Sequence, residues 1–261
     1  MRRLEVLFSP AEFNALARRD LAETVCVVFD ILRATTSMIT ALGNGAAKIV
    51  PVSEISQALT FREKHPDALL AGERDGVRIR AAQTGSIDFD LGNSPREFTR
   101  EIVTGKSIVM TTTNGTRALT ACSGAHKILI GSFLNLDALN AWLKKEMPAS
   151  LLLVCAGTFE EAAYEDTLAA GAVCDAIWPA YSNGHLADSA SIARNIYRQH
   201  KDDLLDTRGD RLLDHHLDRG LIDDWQDFLG HHLGCGQHPR AHSCRDDNGL
   251  ANLHLKLSLK T

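Results

Sequence analysis

The sequence predicts an α/β protein in three layers, with a mostly parallel β-sheet that carries helices on both faces. Short apolar segments typical of buried strands alternate with helical patterns along most of the chain. The segments begin near Leu4, Val25, Lys48, Leu69, Ser107, Lys127 and Leu151. Helices between strands favour parallel pairing, because parallel strands need a long crossover connection. Two junctions repeat one strand–loop–helix pattern, which leaves open a division into two similar α/β halves.

The composition fits one domain and narrows the classes of partner. The chain has 261 residues, 44% apolar and 23% charged, which is enough to bury one large core. Its net charge of −5 argues against a nucleic-acid-binding surface, which needs clustered Lys and Arg. We therefore expect a small anion as the partner, and neither nucleic acid nor a membrane.

The pattern of apolar and Cys residues predicts a cytoplasmic protein. The apolar run at the start is broken by Glu5 and is shorter than a signal peptide, and no segment is long enough to span a bilayer. Of the six Cys residues, Cys26, Cys122, Cys155 and Cys174 lie within strand or helix patterns. They are expected to be buried free thiols, as is usual in a reducing compartment.

The first junction places charged and hydroxyl side chains where a buried strand ends. The strand is the apolar run Val25–Phe29, and a helix is predicted from Thr36 to about Leu42. Ligands of open α/β sheets bind at the carboxyl ends of strands, and helix N-termini accommodate phosphate. The side chains at this junction are Asp30, Arg33, Thr35 and Thr36.

Two later junctions add donors and carboxylates. Strand Ser107–Met110 runs into a polar loop before a helix predicted from Ala118, and its candidate residues are Thr112, Thr113, Asn114 and Arg117. Strand Leu151–Cys155 leads into an acidic segment that contains Glu160, Glu161, Glu165 and Asp166. These carboxylates complement the cationic and hydroxyl groups of the first two junctions.

At these positions the chain resembles the 2-phosphosulfolactate phosphatase family. The resemblance covers about Val25 to Ala172, is looser to Tyr197, and is expected to end near Thr207. The matching motifs are Asp30–Thr36, Ala71–Arg74, Leu91–Pro95, Thr112–Arg117 and Cys155–Gly157, with Glu165 and Asp166.

The resemblance implies magnesium-dependent hydrolysis of 2-phosphosulfolactate to sulfolactate and phosphate, a step of coenzyme M biosynthesis. The residues do not separate a sulfonate from a carboxylate as the second anion, so a similar small phosphorylated acid is also open. Homo-oligomerisation is left open as well. The rival function from another class is a noncatalytic sensor that binds a small phosphorylated metabolite.

Phosphate-ester hydrolysis concentrates negative charge, so the protein must supply cations and fixed donors. The expected catalytic residues are Asp30, Arg33, Asn114, Arg117, Glu165 and Asp166. The expected substrate-binding residues are Thr35, Thr36, Asn93, Ser94, Thr112 and Thr113. Magnesium prefers carboxylate oxygen, and its expected ligands are Asp30, Glu73, Glu165 and Asp166.

Asp30 has three alternative roles at this stage. It could be a nucleophile that forms an aspartyl phosphate, a magnesium ligand, or merely the N-cap of the next helix. The familiar aspartyl-phosphatase pattern has a second Asp two residues on, where this chain has Leu32. We therefore favour the magnesium-ligand role.

The C-terminal segment differs in composition from the rest of the chain. We expect residues 1–206 to form the α/β phosphatase domain and residues 207–261 to be a His-rich, poorly ordered segment. Zinc is a weaker alternative there, because the ligand types are present but their spacing fits no common zinc finger. The residues concerned are Cys235, His238, His242 and Cys244.

Overall fold

The structure is a computed structural model that describes residues 1–201. The strands are β1 (Arg3–Leu7), β2 (Thr24–Phe29), β3 (Lys48–Pro51), β4 (Leu69–Arg74), β5 (Val77–Arg78), β6 (Ser107–Thr111), β7 (Lys127–Gly131), β8 (Ser150–Cys155) and β9 (His185–Leu186). The α-helices are α1 (Pro10–Asn14), α2 (Ala34–Gly43), α3 (Ile55–Lys64), α4 (Ala81–Thr84), α5 (Arg100–Val103), α6 (Gly115–Ala121), α7 (Leu136–Glu146), α8 (Tyr164–Tyr181) and α9 (Asp188–His200). Short 3₁₀ turns follow α1 and precede α5.

The strands form two sheets. A five-stranded sheet has the order β7-β2-β8-β1-β9 and is parallel throughout. A four-stranded sheet has the order β3-β6-β4-β5, in which β3, β6 and β4 are parallel and β5 is antiparallel to β4. The predicted α/β class, with mostly parallel strands and helices on both faces, is confirmed.

The two sheets pack against a shared apolar core. Successive residues of a central strand point to opposite faces of its sheet, and one of these faces lies against that core. In β2, Cys26 and Val28 pack in a cluster that also contains Ile108 and Met110 of β6. Val27 of β2 packs on the opposite face, in a cluster formed with α7, α8 and α9. The period of two therefore gives the central strands two apolar faces, as buried parallel strands require.

Helices α2 and α6 lie between the two sheets. The unit β2–α2–β3 leads from the five-stranded sheet to the four-stranded sheet, and β6–α6–β7 leads back. Both helices contribute to the shared core, α2 through Met38 and α6 through Leu119. The repeated junctions in the sequence thus correspond to two units that run in opposite senses between the sheets.

The predicted strands are present, and the helix boundaries differ by a few residues. Helix α2 begins at Ala34 and α6 at Gly115, earlier than the predicted starts at Thr36 and Ala118. At the start of α6, Thr112 Oγ1 accepts a 3.1 Å hydrogen bond from Thr116 N and so satisfies one N–H of the first turn. The segment after Arg74 contains β5 and α4, which are too short for sequence periodicity to reveal.

Three smaller expectations concern the rest of the chain. Cys26, Cys122, Cys155 and Cys174 are buried free thiols, as predicted. Among residues 1–201, no helix combines the length and apolar character needed to cross a membrane. The predicted boundary near Thr207 and the candidate zinc ligands lie outside the described residues.

Leu153→Ala should lower the free energy of unfolding by about 2–5 kcal/mol. Leu153 lies on the central strand β8 and is fully buried, so truncation leaves a cavity between the sheet and its outer helices. Ile102→Ala on α5 is the matched control, because Ile102 is 43% exposed and should change stability by about 0.5 kcal/mol or less. Urea denaturation measures both, and equal losses would contradict this assignment of the core.

Candidate active site

Asp30 lies at the carboxyl end of β2, where the chain turns into α2. Its Oδ1 accepts a 3.0 Å hydrogen bond from Ala34 N, so the carboxylate is fixed to the first turn of the helix. Its backbone carbonyl accepts a 2.9 Å bond from Thr35 N. The side chain is buried, at 8% residue exposure. Arg33 is the N-cap residue of α2, and Asp30 binds the first N–H of the helix through one of its two carboxylate oxygens.

Gly115 brings the start of α6 against Asp30. A Cβ atom at this glycine would lie 2.5 Å from Asp30 Oδ2 and 2.6 Å from Ala34 Cβ. The Cβ of Ala34 is attached to the backbone of α2, and Asp30 is hydrogen-bonded to the same backbone. A side chain at position 115 would therefore push against the start of α2. The N-termini of α2 and α6 thus meet at one carboxylate.

Glu73 joins two loops from the end of β4. Its Oε1 accepts a 2.7 Å hydrogen bond from Thr113 N, and its Oε2 accepts bonds from Gly76 N at 2.8 Å and Thr113 Oγ1 at 3.2 Å. The β4–β5 turn and the β6–α6 loop are therefore held by one carboxylate. Arg33 reaches the same turn through a 3.1 Å bond from NH2 to Gly76 O.

Asp166 joins the first and third junctions from the first turn of α8. Its Oδ1 accepts a 2.7 Å hydrogen bond from Ile31 N, and its Oδ2 accepts a 3.1 Å bond from Gly157 N. Glu165 precedes it on α8 and is 7% exposed. Asp166 thus ties the loop after β8 to the segment that follows Asp30.

Mutual repulsion and burial dominate the electrostatics of this carboxylate group. The pKa of Asp30 is raised to about 6, chiefly by burial and also by the charges of Glu73 and Glu165, while the Ala34 N–H lowers it. Burial also raises the pKa of Asp166, and Glu165 and Asp30 add to the rise. A bound cation would offset the repulsion between these carboxylates.

Arg117 contacts the loop after β8. Its NH1 forms a 3.0 Å ion pair with Glu160 Oε1 of that loop. Its guanidinium carbon lies 5.8 Å from the centre of the Phe13 ring. Arg117 follows Gly115 by two residues on α6, so the two side-chain positions lie on different sides of the helix.

The four candidate threonines are engaged in contacts within the protein. Thr35 Oγ1 lies 2.8 Å from Gly131 O, and Thr36 Oγ1 donates to Ile31 O at 2.8 Å. Thr112 Oγ1 accepts a hydrogen bond from Thr116 N of α6, and Thr113 is bonded to Glu73. These contacts give the hydroxyls of Thr35, Thr36 and Thr112 structural roles; their substrate-binding roles stay predictions.

Two amide side chains differ from the threonines. Within residues 1–201, the Oδ1 atoms of Asn93 and Asn114 are buried and have no hydrogen-bond partner. Asn114 is the N-cap residue of α6, and the backbone carbonyl of Asn93 accepts a 2.8 Å bond from Ser37 Oγ on α2. Ser94 is the N-cap residue of the short 3₁₀ turn that follows. Buried polar atoms without partners are uncommon, and these two are candidates for ligand contact.

The structure brings the predicted residues together through contacts that the sequence did not reveal. Gly115, Gly76 and Gly157 supply the close approach or the backbone N–H groups that orient the carboxylates. The sequence contains an Asn-Gly pair at the start of α6, but this pair alone predicts only a turn. The backbone partners of Glu73 and Asp166 had no sequence signal.

A magnesium site at these carboxylates would be an open one. Within residues 1–201, no three Asp, Glu, His or Cys side chains form a group that could hold a metal ion, so the four predicted ligands do not come together as one closed set. Magnesium usually keeps several waters and is held by one or two carboxylates together with substrate phosphate. Asp30 is the best-placed ligand, because its second oxygen is not fixed by Ala34, and Glu165 is a neighbouring negative charge.

The fold and site define an α/β protein with a group of buried carboxylates at the ends of parallel strands. A family model described as 2-phosphosulpholactate phosphatase matches residues 12–220. The chain therefore belongs to the 2-phosphosulfolactate phosphatase family. The match extends past Thr207, so the expectation that the resemblance ends there was wrong.

Individual relatives agree with the family assignment. A protein from Caldicellulosiruptor saccharolyticus is 38% identical over 187 residues, which are 70% of this chain and 74% of the relative. One from Clostridium acetobutylicum is 38% identical over 177 residues, covering 67% and 72%. One from Thermotoga petrophila is 40% identical over 171 residues, covering 66% and 68%. Each is named a probable 2-phosphosulfolactate phosphatase.

Gly115→Ala should abolish most activity and destabilise the fold by about 1–3 kcal/mol, because the added methyl group overlaps Asp30 and Ala34. Gly43→Ala, at the end of α2, is the matched control, since a Cβ there meets nothing within 4 Å. Phosphate release and urea denaturation measure the two effects. Full activity in Gly115→Ala would contradict the close approach of α6 to Asp30.

The metal-free protein should lose stability as the pH rises. Because the pKa of folded Asp30 is about 6, above its ordinary value of 3.8, the folded state binds this proton more tightly than the unfolded state. The resulting stabilisation is fully present below about pH 4 and is lost as the pH passes about 6. Denaturation in EDTA should show this fall, and Asp30→Asn should reduce it.

Asp137→Asn is the control for that measurement, because Asp137 is exposed on α7. It should leave the pH dependence as in the unmodified protein. A stability profile that Asp30→Asn does not alter would show that the buried carboxylate is not the titrating group.

Proposed function

We propose that this protein is a magnesium-dependent phosphatase that hydrolyses 2-phosphosulfolactate, or a similar small phosphorylated acid, to sulfolactate and phosphate. The observation that carries the proposal is the meeting of α2 and α6 at Asp30, with Glu73 and Glu165 close enough to raise its pKa. The names of the relatives support the substrate.

Each group of side chains has a distinct part in this proposal. Asp30 and Glu165 would hold magnesium, which when bound supplies positive charge to the phosphoryl oxygens. Glu73 and Asp166 have both carboxylate oxygens bonded to backbone N–H groups, so they orient the loops around the site. Their predicted roles as metal ligands stay proposals.

The arginines and amides would bind the substrate. Arg33 and Arg117 offer planar donor groups suited to a two-point grip on phosphate or on the second acid group. Asn114 lies at the N-terminus of α6 and Asn93 beside α2, and the side-chain amide of each can contact the ligand. Polar groups fixed in advance lower the cost of reorganisation when charge develops in the transition state.

The noncatalytic sensor remains the second candidate, and the carboxylates argue against it. An anion-binding protein would lose affinity through repulsion between its ligand and the buried Asp30 and Glu165. In an enzyme that binds a cation, the same carboxylates would attract the metal ion, which in turn would attract the phosphate of the substrate. We also propose a cytoplasmic location, which the buried free thiols support, and self-association as a property to be measured.

Phosphate release with magnesium and with EDTA tests the proposal. Activity on 2-phosphosulfolactate should require the metal, and Asp30→Asn should lower kcat by about a hundredfold or more. Magnesium should also raise the melting temperature of the unmodified protein and not that of Asp30→Asn. The exposed Asp137→Asn variant should behave as the unmodified protein.

Three results would change the proposal. Full activity in EDTA would contradict the role of magnesium. A label from substrate that survives acid quenching and is released by hydroxylamine would identify Asp30 as a nucleophile. Binding of the substrate without any phosphate release would favour the sensor.

A further inference from the structure

Arg117 is engaged by a side chain that resembles the acid group of the proposed substrate. Its NH1 lies 3.0 Å from Glu160 Oε1, and the Arg117 and Glu160 side chains are 37% and 64% exposed. Exposed ion pairs of this kind are weak. A ligand carboxylate or sulfonate that reaches Arg117 with better geometry can therefore replace Glu160.

Glu160 is carried by the tip of a tight turn. Thr158 N donates to Glu161 O at 3.0 Å, and Glu161 N donates to Thr158 O at 3.1 Å. The two residues between them are Phe159 and Glu160, and Phe159 is 63% exposed with a φ of 56°. The tip of the turn is thus exposed to solvent and lies outside the apolar core.

The base of the same turn is fixed to the active site. Gly157 N donates to Asp166 Oδ2, and a Cβ at Gly157 would lie 2.8 Å from Pro10 Cδ. Asp166 in turn accepts a hydrogen bond from Ile31 N, next to Asp30. The turn is therefore anchored beside the site at its base, while its tip is joined to α6 through the Arg117–Glu160 pair.

We propose that Glu160 is a specificity-determining residue that occupies Arg117 until the second acid group of the substrate replaces it. This inference rests on the proposed function. A phosphate ester without a second anion gains nothing from the exchange, whereas a phosphorylated sulfonic or carboxylic acid gains a charge-assisted contact with Arg117. Glu160 thereby sets a threshold that only an acid group with better geometry at Arg117 than the Glu160 carboxylate can exceed.

Glu160→Gln tests the inference, because it weakens the internal pair without removing the turn. The KM for 2-phosphosulfolactate should fall by about two- to fivefold with little change in kcat, since an internal competitor is lost. The KM for ethyl phosphate, which lacks a second acid group, should stay unchanged. Combining Arg117→Gln with Glu160→Gln should remove the gain.

Glu161→Gln is the matched control, because it makes the same charge change in the same turn. Glu161 contributes its backbone N–H and C=O to the turn, and Arg117 pairs with Glu160 instead. An equal fall of KM in Glu161→Gln would show a general charge effect and overturn the inference. A rise of KM in Glu160→Gln would overturn it too, because Glu160 would then be positioning Arg117 for the substrate.

A binding measurement separates this inference from the proposed function. Calorimetric titration with sulfolactate, which needs no turnover, should show tighter binding to Glu160→Gln than to Glu161→Gln. If that difference appears but the unmodified protein releases no phosphate, the phosphatase proposal fails and the role of Glu160 stands. If phosphate is released but both variants bind sulfolactate equally, the role of Glu160 fails.

Discussion

The close contact between Asp30 and the start of α6 is the constraint on which the site depends. A carboxylate can lie there because Gly115 has no side chain and because Ala34 N donates to the opposite oxygen. That contact fixes the N-termini of α2 and α6 relative to each other. Since each helix connects one sheet to the other, the same contact also relates the two sheets. A change at Gly115 would therefore alter both the position of the Asp30 carboxylate and the packing of the two sheets.

The other buried carboxylates show how the protein tolerates so much negative charge in one place. Glu73 and Asp166 each accept hydrogen bonds from backbone N–H groups of two different loops. Such bonds favour the ionised form and replace some of the lost water. Burial, together with the remaining repulsion, raises the pKa of Asp30 and Asp166. Asp30 differs from Glu73 and Asp166 in that its carboxylate is held through Oδ1, by the Ala34 N–H.

The sequence allowed the fold class and the position of the site to be predicted, because both depend on local pattern. The apolar run that forms β2 and the polar residues after it are contiguous, so Asp30 could be placed at a strand end. The division into two sheets could not be predicted, because it depends on which distant strands pair. The Arg117–Glu160 pair joins residues of separate junctions, and periodicity carries no information about such contacts. The hydroxyl-rich motifs were predicted as substrate contacts, yet Thr112 is bonded to the backbone of α6.

The contrast between hydroxyls and amides supports the proposal that Asn93 and Asn114 contact the ligand. A short hydroxyl beside a helix start easily finds a backbone partner, as Thr36 does with Ile31 O. The amides of Asn93 and Asn114 have more bonding capacity, and the oxygen of each is buried without a partner. A buried polar atom left unsatisfied costs about 1–3 kcal/mol, so the fold is less stable with these groups than with satisfied ones. Ligand contacts at these amides would recover part of that cost. Among the described residues, these two amide oxygens are therefore stronger candidates for substrate contact than the threonine hydroxyls that the sequence predicted.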